Sequence, residues 1–169
     1  MIVMLGLCAF NAAPAFSSDT FVCKKVIDGD TLVLSNGKKV RLIGVDTPES
    51  YHPTKPEQFK AKDATLFTRK LAEGKKVRLE YDEQKIDKYD RTLAYVYLED
   101  GTFLNAELIR QGYAFAYIKY PHKHLEEFKK YEKEAKEKER GIWKNKGEAE
   151  MQWLKQQGRK PFLVFEMEN

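Results

Sequence analysis

The sequence has few of the residues that bind zinc or form disulfide bridges, with two Cys and three His among 169 residues. If Cys8 is removed with an N-terminal leader, Cys23 is left alone and no intramolecular disulfide can form. The spacing of the Cys and His residues also matches no zinc site. Zinc centres and disulfide frameworks are therefore not expected. The five residues are Cys8, Cys23, His52, His122 and His124.

The chain also lacks internal repeats and long low-complexity tracts, which favours one compact domain with short tails. Its apolar content of 42%, with 10 Phe and 9 Tyr, is enough for one core and argues against global disorder. The formal charge of +4 permits a polyanionic partner without requiring one, because 26 acidic residues are interspersed among 30 basic residues.

Charged side chains are missing from residues 1–18. There, Ile2 to Phe10 is an apolar run too short to span a bilayer, and Ala13-Pro14-Ala15 is a small-residue cleavage pattern. This predicts a signal peptide over residues 1–18, cut near Ala15, and a secreted or periplasmic protein with no stable membrane insertion after cleavage. Two alternatives stay open. One is a lipoprotein anchored at Cys8, which the bulky preceding Leu disfavours, and the other is an N-terminal strand of an intracellular protein.

Beyond residue 18, β-type runs alternate with helical patterns. Asn36-Gly37 is a strong signal for a two-residue hairpin turn, and Asp100-Gly101 marks another turn. Five short strands interleaved with helices suit a small closed barrel, because closure removes exposed strand edges. The strands are predicted at Thr20 to Ile27, Thr31 to Leu34, Lys39 to Val45, Lys76 to Tyr81 and Thr92 to Leu98.

Capping residues and glycines set the expected helix ends. A capping box at Thr54 to Glu57 opens a first helix that ends at Gly74, with Ala64, Phe67 and Leu71 on its inner face. Asn105 is expected to cap a second helix, which Gly112 ends, and a third runs from His122 to Arg140. His122 and His124 do not share a helical face, so both are expected to be exposed.

The predicted fold is therefore mainly β with helices (α+β), a five-stranded OB-fold barrel with three packed α-helices. The expected domains are the signal peptide over 1–18, the barrel domain over 19–144, and a C-terminal extension of unknown role over 145–169. The extension is expected to lie outside the compact unit, with one more helix over Glu148 to Gln157.

Three segments place charged groups at the end of an apolar strand or on a turn beside one. Any one of them reads equally well as a polar turn, since Asp, Gly, Thr and Pro are ordinary turn formers. If the fold brings their three carboxylates close together, at least one must protonate unless a cation lies between them. Oxygen ligands without Cys or His select a hard ion, calcium or magnesium. The segments are Val26 to Thr31, Arg41 to Glu49 and Asp87 to Arg91, and the carboxylates are Asp30, Asp46 and Glu49.

The same segments supply two arginines, Arg41 and Arg91. Guanidinium groups bind phosphate oxygens bidentately and stabilise developing negative charge, which lysine cannot do in the same planar geometry. Glu49 is a candidate to accept a proton from an attacking water. Strict strand alternation places Arg41 and Asp46 on opposite faces, because their separation in sequence is odd. We therefore expect a bulge or tight bend at Gly44, which restores a common direction.

In their order and spacing, these segments resemble the thermonuclease (staphylococcal nuclease) family. The resemblance rests on V-I-D-G-D-T, R-L-x-x-V-D-T-P-E and D-K-Y-x-R, and it continues through A-E-L-I-R-Q-G to G-I-W. It covers residues 20–144. It implies a five-stranded OB-fold barrel with three helices and one Ca²⁺ ion. It also implies cleavage of DNA and RNA, with a preference for single strands and with 3′-phosphate ends.

Residue roles follow from the same resemblance. It implies that the Ca²⁺ ion is held by the side chains of Asp30 and Asp46 and by the backbone carbonyl of Thr47. The catalytic residues that it implies are Arg41, Glu49 and Arg91. The substrate-binding residues that it implies are Lys88, Tyr89 and Tyr117.

Two positions depart from the family pattern. Asp90 stands where the type enzyme has Gly, and it either pairs with Arg91 or points to solvent. After Tyr117, the next nucleotide-binding tyrosine falls on Lys119 or Tyr120. Neither departure removes a proposed catalytic group.

Two binding functions are the alternatives to a monomeric nuclease. One is a catalytically inactive OB-fold module that binds nucleic acid, which the complete set of chemically competent residues disfavours. The other is a plain single-strand-binding OB fold, which leaves clustered carboxylates in a nucleic-acid groove unexplained.

Overall fold

The computed structural model describes residues 20–48, 60–156 and 158. The predicted signal peptide, Glu49 and the predicted Thr54 to Glu57 capping box lie outside these residues. Within the described part, no helix is long and apolar enough to cross a membrane. The strands are β1 (Thr20–Asp28), β2 (Thr31–Leu34), β3 (Lys39–Leu42), β4 (Val45–Asp46), β5 (Lys76–Glu80), β6 (Thr92–Leu98) and β7 (Phe115–Ala116), and the helices are α1 (Ala61–Ala72), α2 (Leu104–Arg110), α3 (Leu125–Glu137), a 3₁₀ turn (Gly141–Lys144) and α4 (Lys146–Gln156).

Five of the strands close into a barrel in the order β1-β2-β3-β6-β5. All neighbours are antiparallel except β3 and β6, which run parallel with Val40 opposite Thr92. Alternate residues of each strand fill the interior, and Val26, Leu32 and Val40 are fully buried there. With α1 and α2 packed against this barrel and α3 packed against α2 and β7, the predicted OB-fold of the α+β class is confirmed.

The predicted strand from Lys39 to Val45 is two strands separated by a bend. The bend lies at Gly44, whose φ is 72°, a left-handed conformation that suits glycine. Beyond it, β4 leaves the barrel and pairs with β7, with Asp46 opposite Phe115. The expected irregularity at Gly44 is therefore present, and it turns the chain just before the D-T-P-E segment.

Helix α1 begins at Ala61, directly after Lys60, whose left-handed backbone (φ of 63°) is not helical. Its inner face includes Ala64, as expected, while Phe67 and Leu71 are only partly buried. The predicted end at Gly74 is confirmed by its φ of 78°. The more deeply buried residues are Ala61, Ala64, Thr65, Thr68 and Ala72.

Asn105 does not cap α2, as the sequence predicts, but lies within its first turn with a fully buried side chain. Its Oδ1 accepts a hydrogen bond from the Val96 N–H at 2.9 Å, and its Nδ2 donates to the Ile43 carbonyl at 2.9 Å. Val96 lies on β6 beyond the residues that pair with β3, so on that side the Asn105 amide takes the place of a strand partner. Asn105 thereby fastens β6 and the chain before Gly44 to one helix.

Replacing Asn105 with Ala is expected to lower the free energy of unfolding by about 2 to 4 kcal/mol, because it leaves the Val96 N–H and the Ile43 carbonyl without their partner. Urea denaturation followed by tryptophan fluorescence measures this loss. The control is Gln84→Ala, which removes an exposed amide that donates to Ile86 and should change stability by less than about 0.5 kcal/mol. Equal stability of the two variants would show that Asn105 does not hold the bend.

The expectation that His122 and His124 are exposed is wrong. Helix α3 begins at Leu125, so both residues lie on the preceding turn, where the argument from helical faces does not apply. Both rings pack near Phe128 and Tyr95, and neither buried Nε2 atom has a hydrogen-bond partner among the described residues. Burial lowers the pKa of His122. The pair is therefore part of the packing behind the Gly44 bend.

The helix predicted in the C-terminal extension is present as α4. Its Ala149 is fully buried in one cluster with Phe115, Ile142 and Trp143. The start of the extension therefore packs against the barrel domain. The expectation that the extension lies outside the compact unit is wrong for this part of it.

Candidate active site

A polar cleft of about 510 Å³ opens at the β1–β2 turn, the outer face of β3 and the loop before β6. It brings together most of the residues predicted for the site, from three separate segments of the sequence. Glu49 lies outside the described residues. The lining residues are Asp28, Asp30, Lys39, Arg41, Asp46, Thr47, Tyr89 and Arg91.

Asp30 is fixed in place at the turn between β1 and β2. Its Oδ2 accepts hydrogen bonds from both the N–H and the hydroxyl of Thr47, each at 2.9 Å, and only 6% of the residue is exposed. The preceding Gly29 touches the Thr47 side chain so closely that an added Cβ would lie 2.6 Å from it. The Gly29 carbonyl also accepts a bond from the Thr68 hydroxyl of α1 at 2.6 Å. These contacts orient the Asp30 carboxylate before any ligand binds.

Arg41 links the carboxylates of the cleft. Its guanidinium lies 3.1 Å from Asp30 Oδ2 and 3.5 Å from Asp46 Oδ1. One guanidinium nitrogen also donates to the Val45 carbonyl at 2.7 Å and to the Leu42 carbonyl at 3.1 Å, on both sides of the Gly44 bend. The bend therefore brings Asp46 to the same side as Arg41, which a regular strand could not do.

The residues of this part of the cleft fit a hard cation. Asp30 and Asp46 both contact one guanidinium, so a single positive centre reaches both carboxylates. Within the described ranges, however, no three His, Cys, Asp or Glu side chains converge as a metal cluster. Two carboxylates with additional carbonyl or water oxygens match the hard-ligand preference of calcium and magnesium.

Asp28 is a cleft residue that the sequence analysis missed. Its Oδ1 accepts a hydrogen bond from the Asp30 N–H at 3.1 Å. Burial, and then the negative charge of Asp30, raise the pKa of Asp28 to about 6. The D-G-D spacing could have indicated it, because both aspartates of a tight turn can face one side. Asp28 adds negative charge beside Asp30, which a bound cation would offset.

Arg91 reaches the cleft from a loop built around Asp87. One Asp87 oxygen accepts from the Tyr89 and Arg91 N–H groups at 2.9 and 3.0 Å, and the other lies 2.7 Å from both Nε and Nη2 of Arg91. Asp90 has a left-handed backbone with φ of 59°, where glycine is usual and aspartate is tolerated. Arg91 therefore pairs with Asp87, and Asp90 is exposed.

The predicted substrate-binding residues lie around the same cleft. The Tyr89 ring is 67% exposed, with the Lys88 ammonium 4.9 Å and the Arg91 guanidinium 5.3 Å from its centroid. Burial, and then the charge of Asp46, raise the pKa of Tyr117, whose N–H donates to the Gly44 carbonyl at 3.0 Å. The Tyr120 ring lies 5.9 Å from the Tyr117 ring, so Tyr120 is better placed than Lys119 to extend this aromatic surface.

The cleft thus combines acceptor groups for a cation with donor groups for an anion. Asp30 and Asp46 lie on one side, Arg41 joins them, and Arg91 lines the same space. Such an arrangement suits a charged ester that needs its negative charge stabilised during attack.

Comparisons with known proteins agree with this chemistry. A family model described as staphylococcal nuclease homologue matches residues 39–145. The chain is 43% identical over 129 residues to a thermonuclease of Staphylococcus intermedius, covering 74% of this chain and 76% of that protein. It is 41% identical over 133 residues to a thermonuclease of Staphylococcus hyicus, with 76% and 78% covered. It is 40% identical over 129 residues to endonuclease YncB of Bacillus subtilis strain 168, with 73% and 61% covered.

Proposed function

Since the chain belongs to the staphylococcal nuclease family and is therefore a nuclease, we propose that it is a Ca²⁺-dependent endonuclease that hydrolyses DNA and RNA. We further propose that it prefers single strands and leaves 3′-phosphate ends. The observation that carries this proposal is the cleft in which Arg41 and Arg91 lie beside the Asp30 and Asp46 carboxylates. A binding module has no need to hold carboxylates against its polyanionic ligand, whereas a metal-assisted hydrolase does.

The proposed ion is held by Asp30, Asp46 and the backbone carbonyl of Thr47. When bound, it would act as a Lewis acid on a phosphate oxygen. The Thr47 bonds to Asp30 keep this carboxylate pointed into the cleft, so little reorganisation accompanies binding. Calcium is favoured over zinc because the described residues that line the cleft offer oxygen ligands and include no Cys or His.

The protein's own groups carry the remaining chemistry in this proposal. Arg41 and Arg91 bind the equatorial oxygens of the scissile phosphate and stabilise its developing negative charge. Glu49 accepts a proton from the attacking water or orients it. Tyr89, Lys88 and Tyr117 hold the nucleotide beside the cleft through stacking and charge.

Residues 16–169, which lack the proposed signal peptide, are expected to cleave denatured DNA in calcium and to lose at least about 100-fold in rate in EGTA, because the lost Lewis acid is worth several kcal/mol. Gel electrophoresis of a labelled strand measures the rate. Denatured DNA and RNA should be cut faster than duplex DNA. The new 3′ ends should be extended by a DNA polymerase only after phosphatase treatment.

Glu49→Ala in the same assay tests the proposed role of Glu49 as proton acceptor.

Equal rates of the unsubstituted protein in calcium and in EGTA would refute metal dependence. Binding of DNA without any cleavage would instead identify an inactive nucleic-acid-binding module.

A further inference from the structure

Lys39 lines the cleft but has no role in the scheme above. It is the first residue of β3 and points outward, like Arg41 two residues further along the strand. Two residues of a β-strand span about 6.6 Å, so Lys39 is displaced from Arg41 along β3 by that distance. Its ammonium group therefore lies beside the phosphate proposed to bind Arg41 and does not compete for it. The parallel pairing of Val40 with Thr92 also places Lys39 level with Arg91, the residue just before β6.

Charge balance distinguishes Lys39 from the arginines of the cleft. Arg41 forms ion pairs with Asp30 and Asp46, and Arg91 pairs with Asp87. Among the ion pairs of the described residues, none involves Lys39, whose side chain is exposed. A cation that is not neutralised by a neighbouring carboxylate is available for a phosphate from the substrate.

The barrel surface continues from Lys39 as a short row that points away from the cleft. Lys39 is opposite Val33 on β2, and Val33 is opposite Lys25 on β1. Val33 is half-buried and both lysines are exposed, so the row has a flat apolar centre with a cation at each end. A neighbouring row across the same three strands consists of Asp28, Thr31 and Arg41. That second row contains residues of the proposed catalytic centre.

We propose that Lys39 binds the substrate phosphate next to the scissile one, and that the nucleic-acid strand continues from there over Val33 toward Lys25. This inference rests on the proposed nuclease function and specifies its substrate as a chain with several phosphates. A dinucleotide with one phosphodiester fills the catalytic centre alone and gains nothing from Lys39. A longer single strand gains one further phosphate contact, and its binding becomes more dependent on salt.

The test compares Lys39→Ala with Lys38→Ala, which removes the same charge one residue away. Lys38 is exposed and lies in the hairpin turn, and it does not line the cleft. The substrates are a dinucleoside monophosphate and a single-stranded decanucleotide, both measured as kcat/KM in calcium. Lys39→Ala should lower the ratio of kcat/KM for the decamer to kcat/KM for the dinucleotide about three- to fivefold, which corresponds to the free energy of one exposed ion pair. Lys38→Ala should leave this ratio unchanged.

Salt dependence gives a second readout that a merely structural role of Lys39 would not move. In Lys39→Ala, the slope of log KM for the decamer against log salt should fall by about 0.7, the value for one phosphate contact on a single strand. Lys39→Arg should restore it. An unchanged ratio and slope would overturn this inference and leave the nuclease intact. Failure of the unsubstituted protein to cut either substrate would overturn the proposed function, and the inference with it.

Discussion

Replacing Arg91 with Ala is expected to lower kcat for DNA cleavage by about a thousandfold. Loss of one group that stabilises developing charge in a closed site costs 10²- to 10³-fold, and an arginine that acts on a phosphoryl group is worth about 10³- to 10⁵-fold. Arg91 is prepared for this task because Asp87 holds its Nε and Nη2 at 2.7 Å. The guanidinium therefore keeps one orientation at the edge of the cleft that it lines.

Arg91→Lys separates charge from geometry. Lysine keeps the positive charge but loses the planar fork, so we expect a loss of about 100-fold in kcat with a smaller effect on KM. Both substitutions should leave the fold intact, because Arg91 is on a loop and contributes no barrel core. Circular dichroism and the urea midpoint check this point.

Arg110→Ala serves as the matched control for charge. Arg110 is exposed at the end of α2, pairs with Glu107, and does not line the cleft. Its loss should change kcat less than twofold under the same salt conditions. A similar small effect of Arg91→Ala would remove Arg91 from the catalytic set and leave Arg41 as the only arginine with a proposed catalytic role.

Local sequence patterns predict the strands well because alternation follows from the side-chain period of a strand. The bend at Gly44 could also be predicted, since only an irregularity lets Arg41 and Asp46 share a side. The bend is present, and the two side chains lie 3.5 Å apart. The catalytic role of Arg41 and the metal-binding role of Asp46 depend on activity measurements and stay predictions.

The wrong predictions concern residues whose partners are distant in sequence. Asn105 has the local signature of a helix cap. Its side-chain amide instead donates a hydrogen bond to the carbonyl of Ile43, 62 residues away. His122 and His124 were assigned to a helix surface, yet they precede the helix and pack on Tyr95. Local propensity cannot distinguish these cases, because the competing interaction exists only once the barrel has closed.

Asp28 was missed for a related reason. For an aspartate at the end of a regular strand, the local sequence pattern predicts only a polar residue at the start of a turn. Its position in the cleft depends on the β1–β2 turn, which Thr47 and Thr68 fix from other parts of the chain. The turn signal was visible in the sequence, but the side to which Asp28 faces was not.

Gly44→Ala is expected to destabilise the protein by about 2 to 5 kcal/mol. The φ of 72° costs alanine about 1 to 2 kcal/mol. The new Cβ would also lie 2.5 Å from the His122 Cε1 and 2.8 Å from the Phe128 Cδ2. Phe128 is fully buried, so relieving this overlap requires movement within the core and costs a further 1 to 3 kcal/mol, roughly. Urea denaturation gives the total.

Gly101→Ala separates the two contributions. Gly101 has a φ of 84°, but no atom of the described residues lies within 4 Å of an added Cβ, so this variant carries the backbone strain without the overlap. It should lose about 1 to 2 kcal/mol, and the excess loss in Gly44→Ala measures the packing against His122 and Phe128. Adding His122→Ala to Gly44→Ala should recover part of that excess, because the ring supplies the two closest contacts. If Gly44→Ala is no less stable than Gly101→Ala, the rings move aside freely, and the packing of His122 and Phe128 does not restrict the bend.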